Sequence, residues 1–401
     1  MSLDNLQDRV SAHRLSDDLW DLVRIPSPTG RERKAALRYA AMLAEAGAEV
    51  EVDHSIADSP VVIGRLQGGG VGKTLQLAGH IDHIDVPHPE PERTPERISG
   101  RGAADMKSGL AAMLEVVRVF ANSRESFVGN ILVTAYGLHE APLGHSEGIR
   151  GLIKRGIHGD AALVFEGPPD SAVVCGKGQS IWSLVIRRDG EACHELRRPA
   201  GADDLLRAAQ DLGQRLLAEN TRLCTAEATH TLLGPESVFI GQFHYGDFYN
   251  RAPVSCSLQG TWRWLPEKSF ADIQRALHAV VASVDIPTGI SVEQDWTFVG
   301  ESFSLDPDER IVRALRCAYE ELNGRSMKLA GVSGVLDTNR LVPIGHIPTV
   351  SLDCHGETAH GDREVVQISS MVAGCRLAVA TAAHYLASAS SDGSAQGKKA
   401  R

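Results

Sequence analysis

Two short segments combine residue types that bind divalent metal ions. The first is Gly79-His80-Ile81-Asp82, and the second is a glycine-rich turn over residues 100–109 that carries Asp105. Imidazole nitrogen and carboxylate oxygen are both ligands of Zn²⁺ and similar ions, so this combination suits such a metal. Further candidate ligands stand at loop positions: Glu140, Glu166 and His360. Together these groups are enough for two ions, and a metal pair can generate hydroxide from water at neutral pH.

The candidate ligands follow segments that we predict to be buried strands. These apolar segments are residues 75–78 before His80, residues 130–134 before His139-Glu140, and residues 161–165 before Glu166. Apolar residues between 110 and 120 repeat at helical spacing, so a helix follows Asp105. Apolar strands that alternate with helices predict an α/β fold, in which a mixed, mostly parallel sheet is flanked by helices. Ligand sites of such sheets lie beyond the carboxyl ends of the strands, where these candidates stand.

The composition is that of an ordinary globular protein. The chain has 401 residues, of which 43% are apolar and 23% charged, and this length predicts two domains. The net charge of −10 argues against a nucleic-acid-binding surface and against attraction to an anionic membrane. We expect no membrane-spanning helix, because no apolar run reaches about 18 residues, and the N-terminus lacks a signal segment. The seven cysteines form no CxxC pair, which favours free thiols in the cytoplasm.

The pattern of the chain changes near residue 177 and indicates an inserted domain. Residues 177–290 have an α+β pattern, with strands predicted at 180–188 and 255–264 and helices at 202–218 and 268–284. We predict that residues 1–176 and 291–387 form one discontinuous metal-binding catalytic domain. Its last elements are predicted as a helix at 308–322, a strand at 348–352 and a helix at 364–387. The tail, residues 388–401, is rich in Ser, Gly and Lys and is predicted to be disordered.

These motifs resemble those of the M20 family of metallopeptidases and amidohydrolases, which includes carboxypeptidase G2-like and acetylornithine deacetylase-like enzymes. The resemblance extends from about residue 18 to about residue 385. It rests on motifs that follow one another in the family's order: His80-Ile81-Asp82, Asp105-Met106-Lys107-Ser108-Gly109, His139-Glu140, Glu166, and His360 with Glu364. The order and separations of the motifs agree with the family, and the second motif is fairly specific.

The resemblance implies a centre with one or two metal ions in each subunit, with Zn²⁺ expected and Mn²⁺ or Co²⁺ as alternatives. Asp105 would bridge both ions. The remaining ligands would divide into two pairs, one for each ion: His80 with Glu166, and Glu140 with His360. Asp82 would act in catalysis by accepting the second ring N–H of His80, which orients that ligand. The implied reaction is attack on a carbonyl by a hydroxide held between the metals.

In the family the inserted domain is a lid that also forms a homodimer, so the resemblance implies a dimer here. His194, which ends the stretch Gly190–His194, resembles the lid histidine. That residue enters the partner's site and donates to the oxyanion, a contact that can contribute a few kcal/mol. Asn250 and Arg263 are the residues that would hold a substrate carboxylate, to which an arginine fork is suited.

One position departs from the family pattern. Where the family has the glutamate that acts as general base, this chain has His139. Three interpretations remain open. His139 is the base for a different or easier substrate, since imidazole can act as a base near neutral pH. His139 is instead an extra metal ligand or substrate contact, and another acid such as Glu147 transfers the proton. Or hydrolysis is impaired and the protein has acquired another role.

Two histidines offer alternatives to the predicted ligands. The sequence His80-Ile81-Asp82-His83-Ile84-Asp85 contains the His-x-Asp pattern twice, so His83 and Asp85 are a shifted alternative to His80 and Asp82. His355 lies close enough in sequence to be an alternative to His360. The glycine and the strand that precede His80 favour the first pattern.

The sequence therefore predicts a cytoplasmic, dimeric, metal-dependent hydrolase of a C–N bond. The expected substrate is a small molecule that carries a carboxylate, such as an N-acyl amino acid or a dipeptide-like compound. The departure at His139 leaves two alternatives. One is an aminohydrolase that acts on an unusual amide, amidine or aromatic amine. The other is a catalytically silent binding protein that still holds metal.

Overall fold

The computed structural model describes residues 5–168, 170–226, 229–352, 354 and 358–387. His355 and the tail 388–401 therefore lie outside the described residues. The chain divides into two compact units. The first consists of Met1–Val174, Leu305–Leu329 and Arg340–Arg401, and the second of Cys175–Ser304 and Ala330–Asn339.

The first unit is built on a six-stranded sheet, and the predicted α/β class is confirmed. The strands, in their order across the sheet, are Glu49–Asp53, Val61–Gln67, Asn130–Tyr136, Thr74–His80, Ala161–Val164 and Thr349–Ser351. The last four are mutually parallel, whereas Val61–Gln67 is antiparallel to both of its neighbours. Most residues of the four parallel strands are buried, as expected for strands that are covered on both faces.

Helices pack against both faces of this sheet. The helices of this unit are Ala12–Val23, Arg33–Glu45, Ser108–Ala121, Glu147–Lys154, Arg310–Asn323 and Ile368–Leu386, with short helical turns at Leu6–Arg9 and Arg124–Ser126. The short helix Thr338–Leu341 lies where the chain returns from the second unit to the first. On one face, Ile149 and Leu152 pack on the buried strand residues Ala78, Val164 and Tyr136. These contacts remove apolar side chains from water, which is the main favourable term in folding.

Two glycines allow the turn that carries Asp105 to lie against the strands. A Cβ atom at Gly79 would stand 2.5 Å from Cε of Met106, and one at Gly109 would stand 2.6 Å from Cβ of Phe165. Contacts this short do not occur. At Gly79 the flexible end of the Met106 side chain would have to move, whereas at Gly109 the Phe165 stem and its carbonyl oxygen, at 3.0 Å, cannot give way easily. Glycine at position 109 therefore allows this close approach to the Phe165 backbone.

A small antiparallel sheet in the same unit corrects one predicted boundary. Its strands are Glu92–Arg93, Arg97–Ser99 and Val365–Gln367. The final helix was predicted from residue 364, but it begins at Ile368. The β-branched Val365 and Val366 pair instead with Ser99 and Ile98, and such residues favour strands.

The second unit is an antiparallel sheet covered by two helices. Its strands, in order, are Ser237–Tyr245, Ser255–Trp264, Gly178–Arg188 and Ile290–Gly300, and its helices are Asp204–Cys224 and Phe270–Ala282. The core between them contains Trp182, Trp262 and Trp264. Ile290–Gly300 belongs to this unit, beyond the boundary expected at residue 291.

Shorter elements complete the second unit and the passages between the units. Cys193–His194 pairs with Arg251–Ala252, and Glu195–Arg197 is a helical turn. The chain passes between the units in the strands Ser171–Gly176 and Lys328–Val332, and Phe303–Ser304 pairs with Gly176 and Cys175. Among the described residues, no helix combines the length and apolar character needed to cross a bilayer.

Candidate active site

The parallel strands of the first unit deliver three candidate ligands to one edge of the sheet. His80 is the last residue of its strand, Glu166 lies two residues beyond Val164, and Glu140 follows the strand that ends at Tyr136. Asp105 lies in the turn Ala103–Lys107, which leads into the helix predicted after it. This placement agrees with the general position of ligand sites in parallel sheets.

The side chains of the five predicted metal ligands meet, and Asp105 stands at their centre. Its Oδ1 lies 3.1 Å from Nε2 of His80, and its Oδ2 lies 3.0 Å from Nε2 of His360. His80 Nε2 is also 3.3 Å from Oε1 of Glu166, and His360 Nε2 is 3.0 Å from Oε1 of Glu140. Each oxygen of Asp105 thus lies beside one histidine, and each of these histidines lies beside one further acid.

The electrostatics of this cluster favour positive charge. Hydrogen bonds to Asp105 and Glu140 raise the pKa of His360 to about 10. Burial lowers the pKa of His80, but its hydrogen bonds to nearby carboxylates outweigh burial and hold the pKa well above its usual range. Burial and the charge of Asp105 raise the pKa of Glu166. Acids gathered this closely repel one another, and a cation relieves that repulsion.

The donor set fits divalent metal ions. Oε2 of Glu166 is buried and accepts no hydrogen bond from the described residues, and a buried oxygen without a partner is costly. His80 also forms two overlapping groups of potential ligand atoms, with His139 and Glu166 and with Asp105 and Glu140, in which the atoms lie within 4.8 Å of one another. Imidazole nitrogen with carboxylate oxygen is a ligand set for Zn²⁺ and related ions.

Asp82 is fully buried and supports the loop after the neighbouring strand. Its Oδ2 accepts the backbone N–H groups of His139 and Glu140, both at 2.9 Å, and the Thr29 hydroxyl at 3.1 Å. Nδ1 of His80 lies 3.0 Å from the backbone carbonyl of Asp82 and 3.6 Å from its Oδ1. The shorter contact of the His80 ring is therefore with the carbonyl, while the carboxylate mainly fixes the loop of Glu140.

The ring of His139 stacks on that of His80. The ring centroids are 4.1 Å apart, and the planes differ by 1°. The lone pair of a ring nitrogen lies in the plane of its ring. Two parallel, stacked rings therefore cannot aim their lone pairs at one point, although the nitrogens are close. This geometry disfavours His139 as a second nitrogen ligand of an ion held by His80, and it favours a proton carrier or substrate contact.

The sequence profile described as peptidase family M20/M25/M40 matches residues 77–384, well over half of the chain. The chain belongs to this family. Family membership makes it a metal-dependent hydrolase of peptide or amide bonds.

Solved structures agree with this assignment at the level of the fold. Aminopeptidase PepT from Bacillus cereus is 20% identical with a TM-score of 0.74, and the match covers 94% of this chain and 99% of that one. A tripeptidase from Staphylococcus aureus is 19% identical with a TM-score of 0.72, covering 94% and 98%. The dipeptidase Dug1p from Saccharomyces cerevisiae is 15% identical with a TM-score of 0.70, covering 96% and 98%.

In this M20/M25/M40 member, the residues that the sequence offered as alternatives for metal binding or proton transfer make other contacts. They are His83, Asp85 and Glu147. Nε2 of His83 accepts the backbone N–H of Ser27 at 3.0 Å, and its Nδ1 lies 2.9 Å from the carbonyl of Ile84. Asp85 forms an exposed ion pair with Arg31 at 2.6 Å. The carboxylate of Glu147 accepts the backbone N–H of His145 at 2.7 Å, at the start of the helix Glu147–Lys154.

The predicted lid residues all lie in the second unit, and two of them meet. Nδ2 of Asn250 is 3.3 Å from Nε2 of His194, and both residues are on the surface of that unit. Arg263 lies on the strand Ser255–Trp264, where its guanidinium donates to the carbonyl of Ser333. Burial lowers the pKa of Arg263. No contact within the described residues joins Arg263 to the other two, and their roles stay predictions.

Sequence reasoning missed Glu32. Its Oε1 accepts the backbone N–H groups of Gly30 at 2.8 Å and Leu138 at 3.0 Å, directly before His139. Burial raises the pKa of this carboxyl. Leu138 has a φ of 58°, an uncommon conformation that needs such support. An acid beside the first turn of a helix is ordinarily a solvated residue that favours the helix dipole, so the sequence carried no signal of this role.

Proposed function

We propose that the protein hydrolyses a C–N bond in a small substrate that carries a carboxylate, such as an N-acyl amino acid or a dipeptide-like amide. The observation that supports this proposal is the arrangement around Asp105, whose two oxygens lie beside two different histidines, each of which lies beside a further acid. Such an arrangement is suited to two ions, with Zn²⁺ proposed and Mn²⁺ or Co²⁺ as alternatives.

The proposed ligands are His80 and Glu166 for one ion, Glu140 and His360 for the other, and Asp105 for both. Two divalent ions held there would supply Lewis-acid polarisation of a carbonyl and a water of lowered pKa. The chain's own residues supply the rest. Asp82 fixes the loop that carries Glu140 and His139 by accepting two consecutive backbone N–H groups, and this support holds the ligand in place.

We assign proton transfer to His139. Its ring is held parallel to a ligand ring, and its backbone N–H is fixed by Asp82, so its position relative to the cluster is defined. It would take a proton from the attacking water and return it to the leaving nitrogen. Beside two cations a protonated imidazole is disfavoured. Within the proposed class, we therefore expect the preferred substrates to be amides whose leaving nitrogen needs little protonation, such as activated amides or amides of aromatic amines, and ordinary N-acyl amino acids to be hydrolysed more slowly.

Three further proposals concern the second unit and the setting of the protein. His194, Asn250 and Arg263 contact the substrate, with His194 as the oxyanion donor. The protein is a homodimer, supported by the edge strand Ser237–Tyr245, on which Phe239 and Phe243 are 63% and 43% exposed. It is cytoplasmic, supported by seven cysteines without a disulfide.

Replacement of His139 tests the proposed activity. With added Zn²⁺, the wild type should hydrolyse N-acyl amino acids or anilides, and H139A should lower kcat by about 10²- to 10⁴-fold, as expected for a lost general base. H139E should retain activity, because a carboxylate can carry the same proton. The matched control is H145E, which places a new acid at an exposed position of the same loop and should change little. Turnover by H139E alone, with an inactive wild type, would contradict the proposal.

A further inference from the structure

A buried ion pair lies behind the turn that carries Asp105. Nη1 of Arg101 is 2.7 Å from Oε1 of Glu364, and the side chains are only 8% and 1% exposed. The two residues are 263 positions apart in sequence. Removing one partner of a buried pair leaves an uncompensated charge, so the pair acts as a unit.

Glu364 orients the backbone of Asp105. While its Oε1 accepts from Arg101, its Oε2 accepts the backbone N–H groups of Ala104 at 3.2 Å and Asp105 at 3.3 Å. Two consecutive N–H groups that point at one oxygen fix the orientation of the peptide between them. The direction in which the Asp105 side chain leaves the backbone is thereby fixed as well.

Arg101 also contacts the segment that carries His360. Its Nη1 also donates to the carbonyl of Gly361 at 3.0 Å, and its Nη2 donates to the carbonyl of Pro87 at 3.0 Å. Gly361 directly follows His360, whose φ of 61° is uncommon for a residue other than glycine. A backbone in this conformation persists where surrounding contacts hold it, and Arg101 supplies one of them.

We infer that Arg101 and Glu364 are positioning residues that set the separation between Asp105 and His360, and thereby the affinity of the metal position formed by Asp105, Glu140 and His360. The inference rests on the proposed two-metal function. Neither residue is placed against the substrate. Their action passes through the backbone on which two proposed ligands stand.

A second buried ion pair offers a matched control. Asp18 accepts from Arg118 at 3.0 Å, and their side chains are 11% and 19% exposed. This pair joins the helices Ala12–Val23 and Ser108–Ala121, and no described contact links it to the five proposed ligands. Loss of its charge should lower stability as loss of Glu364 does, without changing the geometry of the metal cluster.

Calorimetric titration of chelator-treated protein with Zn²⁺ tests the inference, on full-length wild type, E364Q, R101K and D18N. E364Q should weaken binding of the ion at the Asp105, Glu140 and His360 position about 10- to 100-fold, the usual effect of losing a residue that supports metal ligands, and weaken the other ion less, because Asp105 is proposed as a ligand of both. R101K keeps the positive charge but loses the planar guanidinium that donates to several acceptors at once. It should therefore give a smaller loss of zinc affinity at the same ion. D18N should leave both dissociation constants unchanged.

Unchanged zinc constants in E364Q, or an equal loss in D18N, would overturn the inference and leave Arg101 and Glu364 as residues of structural importance alone. If E364Q does not fold, R101K decides the question, and wild-type affinity in R101K refutes the inference. A wild type that binds no zinc would instead contradict the proposed function, so the two failures are distinguishable.

Discussion

Replacing Asp82 by alanine should disrupt the loop of His139 and Glu140 more than the ring of His80. The substitution leaves two backbone N–H groups, those of half-buried His139 and buried Glu140, without the acceptor that each has at 2.9 Å. An unsatisfied buried donor costs about 1–3 kcal/mol, so we expect a loss of that size from Glu140 and a smaller one from His139. The Thr29 hydroxyl also loses its bond to Asp82, but it can keep its 3.3 Å contact with the carbonyl of His83. Its contribution to the loss of stability should therefore be small.

Hydrogen exchange at the amides of residues 139 and 140 measures this loss directly, and urea unfolding reports the effect on the whole chain. The control is D82N, which retains one acceptor oxygen and should lose less protection. His80 should keep its orientation in both variants, because its Nδ1 contacts the backbone carbonyl of residue 82 at 3.0 Å. Wild-type protection of both amides in D82A would refute this reasoning.

Further predictions concern pH, metal and assembly. Burial lowers the pKa of His83 from 6.5 to about 4, so wild type should lose up to ~3 kcal/mol of unfolding free energy as the pH falls from 6.5 to below 4. H83Q should reduce this dependence in urea titrations, and equal pH profiles would contradict it. Excess Zn²⁺ at about 1,000 times Kd should stabilise the protein by ~4 kcal/mol per site in thermal unfolding, and D105N should abolish the difference from chelator-treated samples. If the edge strand forms the dimer, F239S/F243S should sediment as a monomer, whereas a dimer of normal affinity would exclude that surface.

Much of the catalytic fold could be predicted because its signals are local. Apolar runs before His80, His139-Glu140 and Glu166 predicted buried strands, and parallel strands bring their carboxyl ends to one edge. The helix after Asp105 followed from apolar spacing alone. These patterns indicate which segments are buried. Buried strands that alternate with helices are expected to be parallel, and the carboxyl ends of parallel strands lie at one edge of the sheet.

Other features depend on contacts that leave no local pattern. Ile290–Gly300 alternates polar and apolar residues with partial exposure, a strand pattern that does not indicate which of the two units the strand joins. Arg101 and Glu364 form an ion pair although they are 263 positions apart in sequence, and no periodicity indicates such a contact. The stack of His139 on His80 is likewise a matter of side-chain direction. The plane of the ring decides which chemistry the imidazole can perform, and the residue type alone does not reveal that plane.

The order of the ligands along the chain has a consequence for biosynthesis. His80, Asp105 and Glu166 precede the second unit, whereas His360 follows it, as does the edge strand Thr349–Ser351, which pairs with Ala161–Val164. A nascent polypeptide on the ribosome therefore has four of the five proposed ligands, His80, Asp105, Glu140 and Glu166, long before His360 is added. Translation that stops before residue 349 yields a product without the late histidine, and such a fragment could capture an ion without acquiring the complete hydrolytic apparatus.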